Sequence, residues 1–287
     1  MANQFERWHP LTQFIYFLTV IVIMTVKLNP LITLVTFFGL ALLGFLIARG
    51  DFLKMSARFF LPASLIAIVI NPLFSHEGAT ILAYFPDGNP FTLESVLYGI
   101  ASGLMICGMC FLFYSFNTVM TSDRIMYLTG RLFRTLSLII SMTLRFIPEF
   151  KRQLDKVKKA HRCLGLKQSR LKDGIDIMNS MIMWSFEKSI DRSDSMRARG
   201  YGIRRRTSFH IFTFTVRDIY YIALMLIVSG WYLTMLFTEN IYVTFYPLFY
   251  YGGNLILSII SYVLYSVLVL LPSIDIIMEE IKWKSLQ

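Results

Sequence analysis

The chain has few charged residues, which make up 16% of its 287 residues, whereas hydrophobic residues make up 55%. In a soluble domain, about a quarter of the residues are Asp, Glu, Lys or Arg. The shortage of charge therefore excludes an ordinary soluble domain and predicts a polytopic membrane protein, a chain that crosses the bilayer several times. The length suits one membrane domain with one cytoplasmic insertion.

Cysteine is also scarce, and three cysteines do not make a disulfide framework. Cys107 and Cys110 stand in a C-x-x-C spacing, but the apolar run around them contains no His or carboxylate that could complete a metal site. We interpret both as small residues at a helix-packing face, with a metal site as the alternative.

Motifs of catalysis and nucleotide binding are absent from the sequence. It has no H-E-x-x-H, no G-x-S-x-G and no phosphate-binding G-x-x-x-x-G-K-[ST], and its four histidines are scattered. No catalytic set in the sequence is therefore convincing, and we expect no cofactor or metal in the chain and no nucleic acid partner. The apolar stretches are almost free of charge, which argues against an ion-coupled pump.

Six apolar stretches approach the roughly 17–25 residues that cross a bilayer as a helix. They are Leu11–Val26, Leu31–Ile47, Phe59–Leu73, Leu97–Thr118, Ile219–Phe237 and Tyr250–Leu271. We predict an all-α polytopic membrane protein with about six transmembrane helices and two long amphipathic helices between the fourth and fifth spans. The predicted division is membrane helices in 1–118, the amphipathic pair in 119–217 and further membrane helices in 218–287.

The loops differ in charge, and basic loops favour the cytoplasmic side of a membrane. Ala48–Arg58 and Val119–Arg134 carry three basic residues each, whereas Ser75–Glu94 carries three acidic residues and no Lys or Arg. Six spans then place both termini and the insertion in the cytoplasm. Lys27, in the first outside turn, is the exception to this pattern.

The segment Arg145–Arg206 accounts for the whole net charge of +10, with 17 Lys or Arg and 7 Asp or Glu. Pro148 predicts a helix start or kink, and Phe150 lies on one apolar helical face with Leu154 and Val157. Charge alone favours attraction to anionic lipid head groups. Two basic clusters that end in Gly favour protein docking instead, because a Gly after a helix lets an adjacent Arg project from the tip. These clusters are His161-Arg162-Cys163-Leu164-Gly165 and Arg197-Ala198-Arg199-Gly200.

The order of these segments resembles the transmembrane T component of energy-coupling factor transporters, the EcfT or CbiQ-like family. The segments that carry the resemblance are Thr121-Ser122, Ser141–Phe150 (S-M-T-L-R-F-I-P-E-F), Ala160, Ser193–Gly202 (S-D-S-M-R-A-R-G-Y-G), Arg205–Ser208 and Arg217-Asp218. It is specific from about Thr121 to Asp218, and the remainder matches only as a hydrophobic scaffold.

In that family, two coupling helices each deliver an Ala-Arg-Gly motif to one of two ABC ATPases. The resemblance implies this role for Ala198-Arg199-Gly200, with Arg199 as the main electrostatic anchor. The first motif falls at Cys163-Leu164-Gly165, where Leu164 replaces the Arg of the family. Either Arg162 substitutes for that Arg, or this docking site is mainly apolar. The supporting residues implied on the two helices are Arg145, Pro148, Phe150, Leu154, Val157, Met196 and Arg197.

The resemblance further implies a non-catalytic scaffold in a prokaryotic plasma membrane. It would couple ATP hydrolysis by two ABC ATPase subunits, alike or different, to uptake of a vitamin or a transition-metal ion. A separate S component would bind that substrate, the ATPases would bind ATP and Mg, and membrane lipid would surround the scaffold. Two alternatives stay open. One is a membrane enzyme that acts on lipid-borne substrates through the pairs Asp173 with Asp176 or Asp191 with Asp194, and the other is a lipid-binding scaffold with no ATPase.

Overall fold

The computed structural model describes residues 4–84, 89–132, 134–163, 170–203 and 212–285. In these ranges the helices are α1 Gln4–Arg7, α2 Pro10–Val26, α3 Pro30–Ile47, α4 Arg49–Met55, α5 Leu61–Phe74, α6 Leu93–Val119, α7 Ser122–Leu132, α8 Arg134–Cys163, α9 Arg170–Ala198, α10 Val216–Phe237 and α11 Leu255–Lys284. Two short antiparallel hairpins pair β1 Ile81–Tyr84 with β2 Pro90–Thr92, and β3 Ile241–Thr244 with β4 Tyr250–Gly253. The predicted all-α class is confirmed.

Five of the described helical stretches are long and apolar enough to cross a bilayer. They are α3, α6, α10, α11 and the stretch Arg49–Phe74, which joins α4 to α5 through a π-helical turn at Ser56–Phe60. Helix α2 is apolar but has 17 residues, the lower end of the spanning range. The chain is therefore a multi-pass membrane protein, as predicted.

Two predicted boundaries are wrong. Ala48–Arg58 is not a loop, because the chain is helical from Arg49 onward. Helix α3 ends at Ile47 and α4 begins at Arg49, so the charged residues lie in the helical stretch that follows and not in a loop. The last span begins at Leu255 and not at Tyr250, since Gly253 has a φ of +109° that ends the strand.

Helices α2 and α3 both begin at a proline with a capping residue before it. The side chains of His9 and Asn29 each accept a hydrogen bond from the backbone N–H two residues further along, at 3.2 and 3.1 Å. Proline suits the first helical position, where its missing N–H costs nothing. Only residues 27–29 separate the two helices.

Small residues set the close packing of α5 against α6. A Cβ on Gly99 would lie 2.8 Å from the carbonyl oxygen of Ile68, and a Cβ on Gly103 would lie 2.9 Å from that of Ser64. Both distances are too short for any larger residue. This small-xxx-small spacing lets two backbones approach where hydrophobic burial gives no driving force between helices.

By its contacts the chain divides into two compact units. Unit 1 comprises Met1–Arg124 and Phe212–Gln287 and contains all of the candidate spans, whereas unit 2 comprises Ile125–Ile211 and contains α8 and α9. The three-part division predicted from the sequence stays a prediction.

Candidate functional site

Helix α8 is a single helix of 30 residues that runs through Pro148 without ending. Of the start or kink predicted at this proline, the start is therefore wrong, and the kink stays a prediction. Pro148 has no N–H to donate to the carbonyl of Leu144, but both residues are exposed, so water can satisfy that carbonyl.

Aromatic side chains join α8 to α9. The Trp184 ring lies 5.5 Å from the Phe146 ring and 6.1 Å from the Phe150 ring, measured between ring centroids. Such pairs contribute about 0.5–1.5 kcal/mol each beyond the area that they bury. Phe150, which was assigned to an apolar face of the first coupling helix, thus contacts the second one. Leu154 and Val157 of the same face are half-buried.

A charged pair adds to the aromatic contacts between α8 and α9, and together they form the α8–α9 joint. The Arg192 guanidinium forms an ion pair with the Glu149 carboxylate and lies 4.5 Å from the centroid of the Phe146 ring. A planar guanidinium can pair with a carboxylate and stack on a ring at the same time. Both partners remain partly exposed, so each contact is weak, but together they fix one register of α9 along α8.

The end of α9 forms a left-handed glycine cap. Gly200 has a φ of +81°, its N–H donates to the Arg197 carbonyl at 2.9 Å, and the Tyr201 N–H donates to the Met196 carbonyl at 3.0 Å. This pair of bonds is the Schellman motif, which turns the chain sharply off the helix axis. Gly200 as the end of the second helix is confirmed.

This cap leaves Arg199 at the tip. Arg199 is the capping residue itself, and its side chain is exposed, as are those of Arg197 and Ala198. In the part of the chain that the structure describes, the Arg199 side chain makes no ion pair. Its charge is therefore available to a partner.

The other predicted tip is described only up to Cys163. Arg162 lies in the last turn of α8 with an exposed side chain. Leu164 and Gly165 lie outside the described residues. Of the remaining predicted supporting residues, Arg145 is exposed and Met196 is half-buried.

A groove of about 520 Å³ lies between α8 and α9 and ends beside the Schellman cap. It is lined by Met142, Thr143, Phe146, Ser189, Arg192, Ser193, Met196, Arg197 and Tyr201. Two sequence segments singled out by motif, Ser141–Phe150 and Ser193–Gly202, thus form one surface. Sequence reasoning missed the groove because its α9 face, which repeats at i, i+3, i+4, i+7 and i+8, is mostly polar and gives no apolar stripe.

The residues offered for alternative chemistry form no centre of their own. Asp191 accepts an ion-pair hydrogen bond from Lys188 at 3.0 Å, and this bond raises the pKa of the Lys188 ammonium. Cys107 is buried within α6, and Cys110 is half-buried there. Among the described residues, no group of three or more His, Cys, Asp or Glu side chains could hold a metal ion.

Known proteins match the chain across its N-terminal and coupling parts. The profile of the CbiQ family, described as cobalt transport protein, matches residues 1–211. The energy-coupling factor transporter transmembrane protein EcfT 1 of Listeria monocytogenes is 30% identical over 188 residues, 58% of this chain and 68% of that protein. The EcfT of Brevibacillus brevis is 29% identical over 190 residues, 58% of this chain and 70% of that protein. The chain therefore belongs to the CbiQ family, and its resemblance to the T components of energy-coupling factor transporters is confirmed.

Proposed function

We propose that this chain is a non-catalytic scaffold that couples two ABC ATPase subunits to a separate S component, which captures a vitamin or a transition-metal ion. The observation that carries the proposal is the α9 tip, where a Schellman cap presents the exposed Arg199 beside the groove. An arginine at such a tip can enter an acidic groove and form two parallel hydrogen bonds with a carboxylate. ATP and Mg then belong to the ATPases, and this chain contributes no cofactor.

The α8–α9 joint supplies the means of transmission. If both tips are held by ATPase subunits that close on ATP, the force acts on two helices that are joined through Trp184 and the Glu149–Arg192 pair. Work is transmitted only if the tips contact the open and closed ATPase states differently. A joint with a fixed register passes such a difference along the helices, whereas a loose one dissipates it.

The exposed apolar side chains of α9 are suited to contact the S component. Six large apolar residues of this helix are exposed, and they precede its charged last turns: Ile175, Met178, Ile182, Met183, Phe186 and Ile190. An exposed apolar face of six large side chains indicates a protein or membrane contact. The same helix thus offers an apolar surface for a membrane partner and a basic tip for a cytoplasmic one.

The basic stretches Ala48–Arg58 and Val119–Arg134 support an orientation with both termini and the coupling region in the cytoplasm of a plasma membrane. Lys27 is less of an exception than the sequence suggested, because its ammonium lies 5.8 Å from the Tyr242 ring centroid. Attraction of the ammonium to the aromatic ring offsets part of the cost of placing a cation in this turn.

Affinity purification from native membranes tests the proposal. We expect the tagged chain to bring down two ABC ATPase subunits and one small membrane protein, identified by mass spectrometry, and the bound substrate to travel with the latter. Recovery of the chain with lipid alone would instead favour a lipid-binding scaffold. Two ABC ATPase genes beside the gene for this chain would be an independent sign of the transporter.

Replacement of Trp184 by Ala should separate binding from coupling. The tips are untouched, so we expect the ATPases to co-purify at the level of the unchanged chain, while uptake into proteoliposomes falls about tenfold. The estimate assumes that roughly 1.4 kcal/mol of joint energy is lost, the lower range for two aromatic contacts. Trp184→Phe keeps a ring at this position and should restore most of the uptake. Unchanged uptake by Trp184→Ala would show that the joint does not transmit.

A further inference from the structure

The β3–β4 hairpin lies beside a membrane helix and not beyond its end. Helix α6 has 27 residues and is about 40 Å long, whereas α2 and α3 have 17 and 18 residues and are about 25 Å long. The inward side chains Val243 and Phe245 pack on Ala101, which is two turns inside α6, and on Leu28 in the short α2–α3 turn. The hairpin therefore occupies the space left by the short helix pair.

Several contacts fix the hairpin in that place. The Tyr246 hydroxyl lies 3.0 Å from the Ser75 hydroxyl, and the Ala79 N–H donates to the Pro247 carbonyl at 2.9 Å. The Tyr98 ring packs against Phe245 at 5.2 Å between centroids. These contacts hold the turn of the hairpin in one position, so the side chains that it exposes form a defined surface.

The exposed side of this turn is apolar. Leu248, Phe249 and Tyr250 are consecutive and are 53%, 42% and 56% exposed. They belong to a stretch from Asn240 to Ile274 that contains no Asp, Glu, Lys, Arg or His. A strand pair that is exposed to water would normally carry at least one charge within such a stretch of 35 residues.

The composition and position of the hairpin match the membrane–water interface. Six of the eleven residues from 241 to 251 are Tyr or Phe. Aromatic residues gather where the bilayer meets water, because the ring enters the acyl boundary while the hydroxyl stays hydrated. The lipid-facing surface of α11 begins directly after the hairpin, with Leu255 and Ile256 both 68% exposed.

We propose that Leu248, Phe249 and Tyr250 rest in the headgroup region of the lipid leaflet on the hairpin side, and that they anchor the α10–α11 connection there. The ligand is the bilayer surface itself. Backbone groups at the open strand edges find water at this depth, which they would not find in the hydrocarbon core. The anchor fixes how deep the ends of α10 and α11 sit, and with it their tilt.

Site-specific fluorescence in vesicles tests this anchor. The full chain carries Leu248→Cys, its native cysteines are replaced by Ala, and a label of the NBD type is attached at position 248. It is reconstituted into phosphatidylcholine vesicles whose lipid carries a nitroxide near the headgroup end of the acyl chain. We expect the label at 248 to lose most of its emission to the nitroxide lipid and to be protected from aqueous iodide. A matched control is Glu77→Cys, an exposed charged position in the loop before β1, where iodide should quench and the nitroxide should not.

Two results would overturn the proposal. The label at 248 could be quenched by iodide as strongly as the label at 77, which would place the turn in water. Alternatively, it could become protected only when partner subunits are added, which would make the surface a protein contact. Since Leu248 is exposed, its replacement should not disturb the fold, and Tyr250→Cys provides a second position if labelling at 248 fails.

Discussion

Replacement of Arg199 by Glu is expected to abolish recovery of ATPase subunits with the chain, while the protein still inserts into the membrane. The side chain is exposed at the capped tip of α9 and makes no ion pair among the described residues, so little folding energy depends on it. The reversal places an anion at a helix C-terminus, which costs about 0.3–1 kcal/mol. Against an acidic docking groove, loss of a desolvated charge pair costs about 2–5 kcal/mol, which is roughly thirtyfold or more in affinity.

The measurement is co-purification of both ATPases with the tagged chain, followed by uptake in proteoliposomes. Lys172→Glu is the matched control, because it makes the same charge change at an exposed position near the opposite end of α9. We expect this control to bind and transport like the unchanged chain. Recovery of both ATPases at unchanged levels with Arg199→Glu would refute the anchor role.

Local sequence signals were sufficient for the membrane spans and for the α9 tip. High hydropathy over some 20 residues predicts a helix that crosses the bilayer. A Gly after an amphipathic run predicts a left-handed helix cap, and Gly200 forms one. The strand β4 at Tyr250–Gly253 was missed because a short apolar run fits a strand as well as a helix. Hydropathy alone could not find the point at which α11 begins.

Local sequence signals could not predict contacts between residues that are far apart in the sequence. Glu149 and Arg192 are 43 residues apart, and each looks like an ordinary surface charge on its own helix. The groove of α8 and α9 also depends on their register, which no single helix encodes. Pro148 shows the opposite case, since a strong local signal for a helix start lies in the middle of a 30-residue helix.

Asp218 is the residue for which the structure adds most to what the sequence suggested. It belongs to the familial Arg217-Asp218 pair, and besides the nearby Thr215 its partners are His9 and Thr12, at the other end of the chain. One carboxylate oxygen accepts from the Thr215 N–H at 2.9 Å and from the Thr215 hydroxyl at 2.5 Å. The other accepts from the His9 N–H and the Thr12 hydroxyl, both at 3.2 Å. A single buried carboxylate thus joins the first turns of α2 and α10, whose positive dipole ends both favour an anion.

Replacement of Asp218 by Ala should therefore destabilise unit 1 severely. Asp218 is only 3% exposed, and its loss leaves several buried donors without an acceptor, each at a cost of about 1–3 kcal/mol. We expect the unfolding midpoint in detergent to fall by about 5 °C or more, measured by thermal-shift fluorescence. Asp218→Asn is the informative companion, since it keeps the size and one acceptor oxygen but turns an N–H toward the second pair of donors. An intermediate loss for Asn would assign the effect to the carboxylate, whereas Asn and Ala variants as stable as the unchanged chain would show that the α2–α10 junction is held by packing alone.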